Sequence, residues 1–294
     1  KKIKIGWMGT GVMGYHMCNY LMKAGFPMMV YNRTMSKAQG LIDAGAVASD
    51  PISIAKEVDV LFMMLGYPKD VEEMTLDKQK GILKHMKKGS FLVDHTTSSP
   101  ELAKKIYEEA KALGVSSYDA PVTGGDVGAK NGTLLTLVGG DKESFPTVEE
   151  LLKKYSKNIE FCGNSSNGQQ AKLVNQIMIA SNIVGVCEGM MYGYKAGLDV
   201  AQITKTLANG ASSSFQLTGY GQKMLNRDFE PGFYAEHFMK DMGIALEESK
   251  RMGLKLNNLD FAYKMFEVMK EEGLDRKGHH GVLLVLEKMN NIKH

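Results

Sequence analysis

The pattern of short apolar runs changes once along this chain, and that change most constrains its fold. Up to about residue 160, apolar runs of strand length alternate with amphipathic segments of helix length. Such alternation is typical of a parallel sheet whose crossover helices cover both faces. The strand pattern disappears after Gly163. The expected strands are Ile3–Met8, Met28–Tyr31, Val60–Leu65, Phe91–Asp94, Ser117–Asp119 and Leu134–Val138.

Helical spacing of apolar residues dominates the rest of the chain. A continuous helix over about Ser166–Ala196 would be about 45 Å long, which is too long for one compact domain. We therefore predict an α/β chain in which a doubly wound sheet domain at residues 1–163 is joined by a long interdomain helix to an all-helical domain at residues 164–294. The other helices expected there are Val200–Ala208, Ser213–Leu225, Tyr234–Met252, Leu259–Glu272 and Val282–Asn290.

Composition argues against several classes of partner. The 36 basic and 33 acidic residues nearly balance and the basic ones are scattered, so we expect no nucleic-acid partner. Cys18, Cys162 and Cys187 lack the spacing of metal ligands, so we expect no metal site and a cytoplasmic location. The longest apolar stretch, Ile177–Met191, is interrupted by polar residues, and the N-terminus runs directly into a strand pattern. We therefore expect no membrane span and no signal sequence.

A glycine-rich turn directly follows the first expected strand and precedes a helix. In this context the spacing is the fingerprint of Rossmann-type domains. The glycines allow a tight turn, a close approach of backbone to a pyrophosphate, and close packing of helix on strand. We predict that the whole turn contacts a dinucleotide. Its sequence is Gly9-Thr10-Gly11-Val12-Met13-Gly14.

The end of the second expected strand lacks the carboxylate with which NAD-binding domains hold the ribose 2′-hydroxyl. Arg33 stands there instead, and Asn32, Thr34 and Lys37 offer further donors. A guanidinium with neighbouring donors suits a 2′-phosphate. We therefore predict a preference for NADP(H), with NAD(H) still possible. The alternative is an exposed turn with incidental basic residues.

Loops after two later strands should complete the cofactor site, because ligands of open α/β sheets lie at the carboxyl edge. Leu65 opens one loop and is expected on the adenosine side, and Thr97 is the expected contact near the nicotinamide. The alternative for Thr97 is a helix cap before Pro100. His95, in the same loop, is predicted to be a packed histidine at a strand end.

Two further motifs point to a substrate. Thr123, Gly124 and Gly125 pair a hydroxyl with a turn that can aim backbone N–H groups at a carboxylate, although a Gly-Gly loop can also be purely structural. Lys172 and Asn175 lie three residues apart, so a helix brings their amine and carboxamide to one face, where they can converge on one substrate oxygen. A solvent-facing lysine is the alternative.

These motifs occur in one consistent order with a Lys240-Asp241 pair, and in this combination the chain resembles the β-hydroxyacid dehydrogenase family over nearly its whole length. It is similar to 3-hydroxyisobutyrate dehydrogenases, tartronate semialdehyde reductases and glyoxylate/succinic semialdehyde reductases. The resemblance implies an oxidoreductase with Lys172 as catalytic acid/base and Lys240 as a cofactor contact. The substrate contacts that it implies are Thr123, Gly124, Gly125, Asn175, Phe233 and Asp241.

The chain departs from that family's pattern before its last helix, where many members carry Asp-x-Ser. Here the sequence has His279 and His280. We favour a polar, solvated start of the last helix, and a contribution to the far end of a substrate pocket is the alternative. A two-histidine metal site would need a third ligand, and the sequence identifies none.

The expected function is NADPH-dependent reduction of a short semialdehyde or oxo acid, such as glyoxylate or succinic semialdehyde, with 3-hydroxyisobutyrate oxidation as the nearest alternative. Lys172 argues against an imine reductase, in which that lysine is typically replaced. A non-catalytic dinucleotide-binding scaffold or sensor is the alternative of another class. Beside a small carboxylic substrate, we expect a second copy of the chain as partner, in a homodimer or homotetramer. The apolar residues that suggest it are Phe261, Tyr263, Met265, Phe266 and Met269.

Overall fold

The computed structural model describes residues 2–292. Its strands are β1 (Ile5–Met8), β2 (Met28–Tyr31), β3 (Val47–Ala48), β4 (Val60–Met63), β5 (Phe91–Asp94), β6 (Ser116–Asp119), β7 (Val122–Thr123), β8 (Leu134–Gly139) and β9 (Ser156–Gly163). They form one sheet in the order β3-β2-β1-β4-β5-β6-β8-β7, with β9 also paired to β8. Strands β1 to β6 pair in parallel with one another, whereas β8 runs antiparallel to β6 and β7 and parallel to β9.

The sheet is doubly wound, as the sequence predicts. The chain begins at β1, winds outward to β2 and β3, and then returns to the other side of β1 for β4 and β5. This reversal places a topological switch point at the carboxyl ends of β1 and β4, where ligands of such sheets bind. The sequence did not predict β3, β7 or β9, because β3 and β7 have two residues each and β9 is a partly exposed edge strand.

Apolar cores lie on both faces of the sheet. Along β4, Val60 and Phe62 join one buried cluster, whereas Leu61 and Met63 join the other. This alternation is the period of a strand that is covered on both sides. The helices of this half are α1 (Gly14–Lys23), α2 (Gln39–Asp43), α3 (Pro51–Glu57), α4 (Pro68–Leu76), α5 (Pro100–Ala112), α6 (Gly125–Asn131) and α7 (Phe145–Leu152).

The second half is helical, as the sequence predicts. Its core contains Phe238 and Phe266, which meet edge to face with ring centroids 5.2 Å apart. Met265 and Met269 are buried in the same core, whereas Phe261 is 41% exposed. Met265 and Met269 therefore do not provide free apolar surface for association. The helices are α8 (Asn167–Lys195), α9 (Val200–Leu207), α10 (Phe215–Leu225), α11 (Ala235–Arg251), α12 (Asn257–Glu271) and α13 (Val282–Met289).

Contacts within the chain divide it into two compact units, Lys1–Lys172 and Leu173–His294. The division falls inside helix α8 rather than before it. The first turns of α8 belong to the first unit because the carboxylate of Asp119, at the end of β6, accepts hydrogen bonds from the backbone N–H groups of Ser166 and Gln169. Helix α8 then continues into the second unit.

Among the described residues, α8 is one helix that is long and apolar enough to cross a membrane by length and composition. Core helices of soluble proteins pass the same test. The helix carries Ser181, Asn182 and Glu188. The absence of a membrane span stays a prediction.

Candidate active site

The glycine turn between β1 and α1 is built so that one of its glycines faces open space. Gly9 has a φ of +94°, and a Cβ added there would lie 2.1 Å from the carbonyl oxygen of Met64. A Cβ on Gly14 would lie 2.0 Å from the carbonyl oxygen of Gly9. A Cβ on Gly11 would meet no atom within 4 Å. Two glycines are thus required for packing, and Gly11 leaves its backbone accessible to a ligand.

Hydrogen bonds hold this turn in place. Trp7 donates its indole N–H to the carbonyl oxygen of Gly9 at 2.9 Å, and the N–H of Thr10 donates to the side-chain oxygen of Asn32 at 2.8 Å. Val12 is 53% exposed and Met13 is half-buried. A rigid turn with accessible backbone at Gly11 fits the pyrophosphate of a dinucleotide.

The basic turn after β2 is exposed, as a contact with a 2′-phosphate requires. The side chain of Arg33 is 88% exposed, and its guanidinium lies 3.8 Å from the carboxylate of Asp70. Thr34 and Lys37 are also exposed. Asn32 differs from them, because its carboxamide bonds to the N–H of Thr10 and to the carbonyl oxygen of Thr34. The structure therefore shows Asn32 supporting the turn, while its contact with a phosphate stays a prediction.

The loops after β4 and β5 are hydrogen-bonded to each other. The N–H of Leu65 donates to the hydroxyl of Thr96 at 2.8 Å, and the N–H of Thr96 donates to the carboxylate of Asp94 at 2.9 Å. Thr97 is half-buried, and the helix cap that was its alternative role belongs to Ser99, whose hydroxyl accepts from the N–H of Leu102. The contact of Thr97 with a cofactor stays a prediction.

His95 is a packed histidine, as predicted. Its ring stacks on Trp7 and Phe62, and its two nitrogens lie 2.6 Å from the carbonyl oxygen of Ala120 and 2.8 Å from the hydroxyl of Tyr155. Burial lowers the pKa of His95 to about 4. The imidazole is therefore neutral at physiological pH and supports the core rather than donating protons.

The predicted carboxylate turn begins at Thr123, the last residue of β7. Thr123 is half-buried, and Gly124 and Gly125 have φ angles of +126° and +65°. Residues other than glycine rarely adopt such φ values. The two glycines are thus required by the backbone, which leaves Thr123 with the only side chain among the three.

Lys172 is buried, so the alternative of a solvent-facing lysine is wrong. It lies on α8 and is 6% exposed, although lysine is among the residue types least often fully buried. Asn175, one turn further along α8, is half-buried. Sequence reasoning did not identify Gln169, a fully buried residue one turn before Lys172 that bonds to the loop of Thr97.

In the second unit, Lys240 and Asp241 form a nearly buried ion pair. Their charged atoms are 3.0 Å apart, and their side chains are 12% and 3% exposed. The other carboxylate oxygen of Asp241 accepts a hydrogen bond of 2.7 Å from the carboxamide of Gln176. Sequence reasoning did not identify Gln176, although it directly follows Asn175 on α8.

The histidine pair before α13 is buried, so the favoured interpretation of a solvated helix start is wrong. His279 is 2% exposed and His280 is 0% exposed. The ring of Phe233, a predicted pocket residue, lies 5.6 Å from that of His279, and Tyr220 packs against both histidines. Aromatic neighbours from distant parts of the chain bury this segment, which local polarity does not reveal.

Hydrogen bonds of the two histidines are specific. A ring nitrogen of His279 lies 2.6 Å from the carboxamide oxygen of Gln216, and one of His280 lies 2.9 Å from the carbonyl oxygen of Asp228. Burial and the neighbouring His280 lower the pKa of His279 to about 3. No group of three or more potential metal ligands occurs in the part of the chain that the structure describes.

Comparison with known proteins identifies the family. Residues 4–163 match the NAD binding domain of 6-phosphogluconate dehydrogenase, and residues 166–286 match the family described as NAD-binding of NADP-dependent 3-hydroxyisobutyrate dehydrogenase. The chain is 48% identical over 290 residues to a probable 3-hydroxyisobutyrate dehydrogenase-like 1 protein, mitochondrial, from Arabidopsis thaliana, covering 98% of this chain and 86% of that protein. The chain belongs to the 3-hydroxyisobutyrate dehydrogenase family of β-hydroxyacid dehydrogenases.

Other relatives agree with this assignment. The chain is 34% identical over 292 residues to 2-hydroxy-3-oxopropionate reductase from Escherichia coli strain K12, covering 99% of both proteins. The fold is that of the solved 3-hydroxyisobutyrate dehydrogenase from Mycobacterium tuberculosis, with a TM-score of 0.88, 24% identity and coverage of 97% of this chain and 99% of that one. The protein is therefore an NAD(P)-dependent oxidoreductase that acts on CH–OH groups, which confirms the predicted reaction class.

Proposed function

We propose that this protein is an NADPH-dependent reductase of a short-chain semialdehyde or oxo acid, of the glyoxylate or succinic semialdehyde reductase type. The burial of Lys172 carries the proposal. Lys172 is 6% exposed and lies one helical turn before Asn175. Burying a lysine amine costs free energy, and this cost is explained if the amine acts as an acid/base beside a carbonyl oxygen.

Lys172 provides the proton in the proposed reduction. When bound, the nicotinamide cofactor supplies the hydride that adds to the carbonyl carbon. The ammonium of Lys172 donates a hydrogen bond to the carbonyl oxygen, stabilises the negative charge that develops there and transfers a proton to give the hydroxyl. In the oxidation, the neutral amine accepts that proton. The carboxamide of Asn175, on the same helix, orients the same oxygen.

The acidic end of the substrate is assigned to the turn that begins at Thr123, the last residue of β7. The hydroxyl of Thr123 and the backbone N–H groups of Gly124 and Gly125 suit a carboxylate, because all three are donors. Asp241 and Phe233 are proposed as further substrate contacts. Phe233 has its ring among the aromatic and histidine rings of the second unit, which favours a compact, apolar wall.

The preference for NADPH rests on the exposed cation after β2. Arg33 is 88% exposed, and the neighbouring Asn32 does not supply the carboxylate that NAD-binding domains place at this position. We assign Thr34 and Lys37 as additional phosphate contacts, and Lys240 as a cofactor contact from the second unit. The match of residues 166–286 to an NADP-dependent family is consistent with this assignment.

Oxidation of 3-hydroxyisobutyrate is the second candidate. It is favoured by the name of the plant relative that is 48% identical, whereas the name of the bacterial relative at 34% identity describes reduction of a hydroxy-oxo acid. Both reactions move one hydride at the carbonyl carbon and one proton at the carbonyl oxygen, so Lys172 serves either.

Absorbance of NADPH and NADH separates these candidates. We expect loss of NADPH absorbance with glyoxylate or succinic semialdehyde, and slower turnover of tartronate semialdehyde, methylmalonate semialdehyde and, in the oxidative direction, 3-hydroxyisobutyrate. Lys172→Ala should lower kcat at least about 1,000-fold and leave NADPH binding intact, because general acid catalysis and charge stabilisation are both removed. Lys195→Ala, at the exposed far end of the same helix, is the matched control.

Three results would contradict parts of this proposal. Full activity of Lys172→Ala would remove lysine from the mechanism. Efficient oxidation of 3-hydroxyisobutyrate with little reduction of the other substrates would favour the second candidate. Binding of NADPH without turnover of any of these substrates would favour a non-catalytic scaffold.

The protein is also proposed to associate as a homodimer or homotetramer. Exposed apolar side chains of the second unit support this: Met178 is 60% exposed, Tyr192 77% and Phe215 64%. Apolar side chains of this size are frequent at subunit interfaces. Light scattering after size exclusion should give a mass of two or four chains, and the mass of one chain would contradict it.

A further inference from the structure

Gln169 connects two segments of the first unit. One is the loop that carries Thr97, the predicted cofactor contact, and the other is the start of the helix that carries Lys172. We propose that Gln169 is a positioning residue that holds the cofactor loop of Thr97 in a fixed geometry relative to the start of the helix that carries Lys172. The inference rests on the proposed function. Gln169 is 0% exposed, and its proposed role is to hold other residues in place rather than to contact the reacting atoms.

The hydrogen bonds of Gln169 span three segments. Its side-chain oxygen accepts from the N–H of Ser98 at 2.9 Å, and its side-chain nitrogen donates to the carbonyl oxygen of Thr96 at 2.7 Å. Its backbone N–H donates to the carboxylate of Asp119 at 2.8 Å. Thr97 lies between the two loop residues that the side chain binds, so the carboxamide fixes the backbone on both sides of it.

The start of α8 is held equally firmly on the sheet. The second carboxylate oxygen of Asp119 accepts from the N–H of Ser166 at 2.8 Å. A Cβ on Gly168 would lie 2.4 Å from the carbonyl oxygen of Asp119, so the helix backbone touches the end of β6 directly. The first turn of α8 therefore has little freedom to shift relative to the strand ends.

The loop is fixed on its other side as well. The hydroxyl of Thr96 accepts from the N–H of Leu65, and its N–H donates to Asp94. Gln169 is 0% exposed, so its hydrogen bonds do not compete with water. Since Lys172 follows Gln169 by three residues, the two lie on one face of α8. A displacement of the loop relative to Gln169 thus changes the distance between Thr97 and the Lys172 amine.

The loss expected from removing this connection is kinetic rather than mainly structural. Misplacing a catalytic group by about 1 Å can lower a rate about 100-fold. Gln169→Met keeps the length of the side chain and removes both of its hydrogen bonds to the loop. Gln169→Glu keeps an acceptor for the N–H of Ser98 but places a second acceptor against the carbonyl oxygen of Thr96, so it should have an intermediate effect.

The test combines turnover, isotope effect and binding. For Gln169→Met we expect kcat to fall about 10- to 100-fold, KM for the carbonyl substrate to change less than about threefold, and the primary deuterium isotope effect from deuterated NADPH to rise, because hydride transfer becomes slower than the other steps. NADPH binding is followed through Trp7, the single tryptophan, whose indole bonds to the glycine turn.

The matched control is Thr136→Val. The hydroxyl of Thr136 is buried and bonds to the hydroxyl of Ser156 at 2.7 Å, on strands β8 and β9. This variant should lose a comparable amount of stability and keep the wild-type kcat and isotope effect. If Gln169→Met does not fold, Gln169→Glu decides the question by the same measurements.

The outcomes separate this inference from the proposed function. If the wild-type protein turns over substrate and the Gln169 variants keep its kcat and isotope effect, the inference is overturned and the proposed function stands. A kcat loss of the same size in Thr136→Val also overturns it, because any buried hydrogen bond would then suffice. Wild-type protein that binds NADPH but reduces no carbonyl acid overturns the proposed function and the inference together.

Discussion

The two units of the molecule place their candidate site residues by different means. In the first unit, Lys172 lies on helix α8, and the other candidate residues lie at strand ends and in a glycine turn. Backbone N–H groups help to hold that turn, such as the N–H of Thr10, which donates to the side-chain oxygen of Asn32. In the second unit, Asn175, Lys240 and Asp241 lie on helices, and a side chain holds Asp241, whose carboxylate accepts a hydrogen bond from the carboxamide of Gln176. Backbone conformation can be inferred from short motifs, whereas the partner of a helix face cannot.

Histidines illustrate the same difference. His95 and His279 are both buried among aromatic rings and both have lowered pKa values. The first follows a predicted strand, so its burial was predictable. The second follows a helix and a turn of polar residues, so its burial depends on aromatic rings contributed by α10 and α11.

The largest effect should come from a backbone position of the first unit. Gly14→Ala places a Cβ 2.0 Å from the carbonyl oxygen of Gly9, where only the backbone can move. We expect a loss of about 3 kcal/mol or more in the free energy of unfolding. Gly11→Ala meets open space and should change that free energy by less than about 0.5 kcal/mol, while NADPH affinity falls at least about tenfold.

Urea unfolding and Trp7 fluorescence measure both quantities. Equal losses of stability in the two alanine variants would show that the turn is not divided into packing and ligand-facing glycines. Unchanged NADPH affinity in Gly11→Ala would show that the pyrophosphate does not approach there.

The next effect concerns pH and compares one buried histidine from each unit. The folded-state pKa values are about 4 for His95 and about 3 for His279, against an ordinary value of 6.5. Their contribution to stability is present above pH 6.5 and is lost as the pH falls towards 4, by about 1.4 kcal/mol per pH unit for each. His95→Gln and His279→Gln should each reduce this slope.

Asp119 should show the opposite sign. Burial, together with the nearby Asp94, raises its pKa from 3.8 to about 7, while the N–H groups of Gln169 and Ser166 oppose the shift. Its contribution is present below pH 3.8 and is lost as the pH rises through 7. Asp119→Asn should therefore steepen the dependence of stability on pH between 4 and 6.5. If none of these three variants changes the dependence of stability on pH, the burial of His95, His279 and Asp119 would be contradicted.

An exposed position should have a smaller and purely selective effect. Arg33→Ala should lower the ratio of NADPH to NADH affinity about tenfold, because a charge-assisted contact with the 2′-phosphate is lost and NADH has no such group. Lys69→Ala removes an exposed cation that is paired with Glu73 and serves as control. An unchanged ratio in Arg33→Ala would refute the phosphate assignment, while the dehydrogenase assignment would stand.

The smallest effect is expected at Asp70. Its carboxylate lies 3.8 Å from the Arg33 guanidinium and would repel a phosphate bound there. Asp70→Asn keeps an acceptor for the N–H of Tyr67 and should raise the ratio of NADPH to NADH affinity about two- to fivefold. A fall in that ratio, measured by Trp7 fluorescence, would show that Asp70 orients Arg33 for the phosphate instead.

Prediction from sequence was most successful where the evidence was local. The doubly wound sheet, the helical second half and the packed role of His95 were all predicted. It failed for Gln169, Gln176 and His279, whose roles depend on contacts between distant residues. Gln169 gives no local signal, because a glutamine at the start of a helix is ordinarily exposed.

The sequence by itself determined the change from a parallel sheet to helices, the glycine turn and the spacing of Lys172 from Asn175, because these follow from periodicity and backbone preferences within a few residues. Apart from His95, tertiary structure decided which polar side chains are buried and what they bind. Gln169 reaches Ser98 across 71 positions and His279 reaches Gln216 across 63. Such pairs are chosen by packing, since burying a polar group is favourable only when a partner lies within hydrogen-bonding distance.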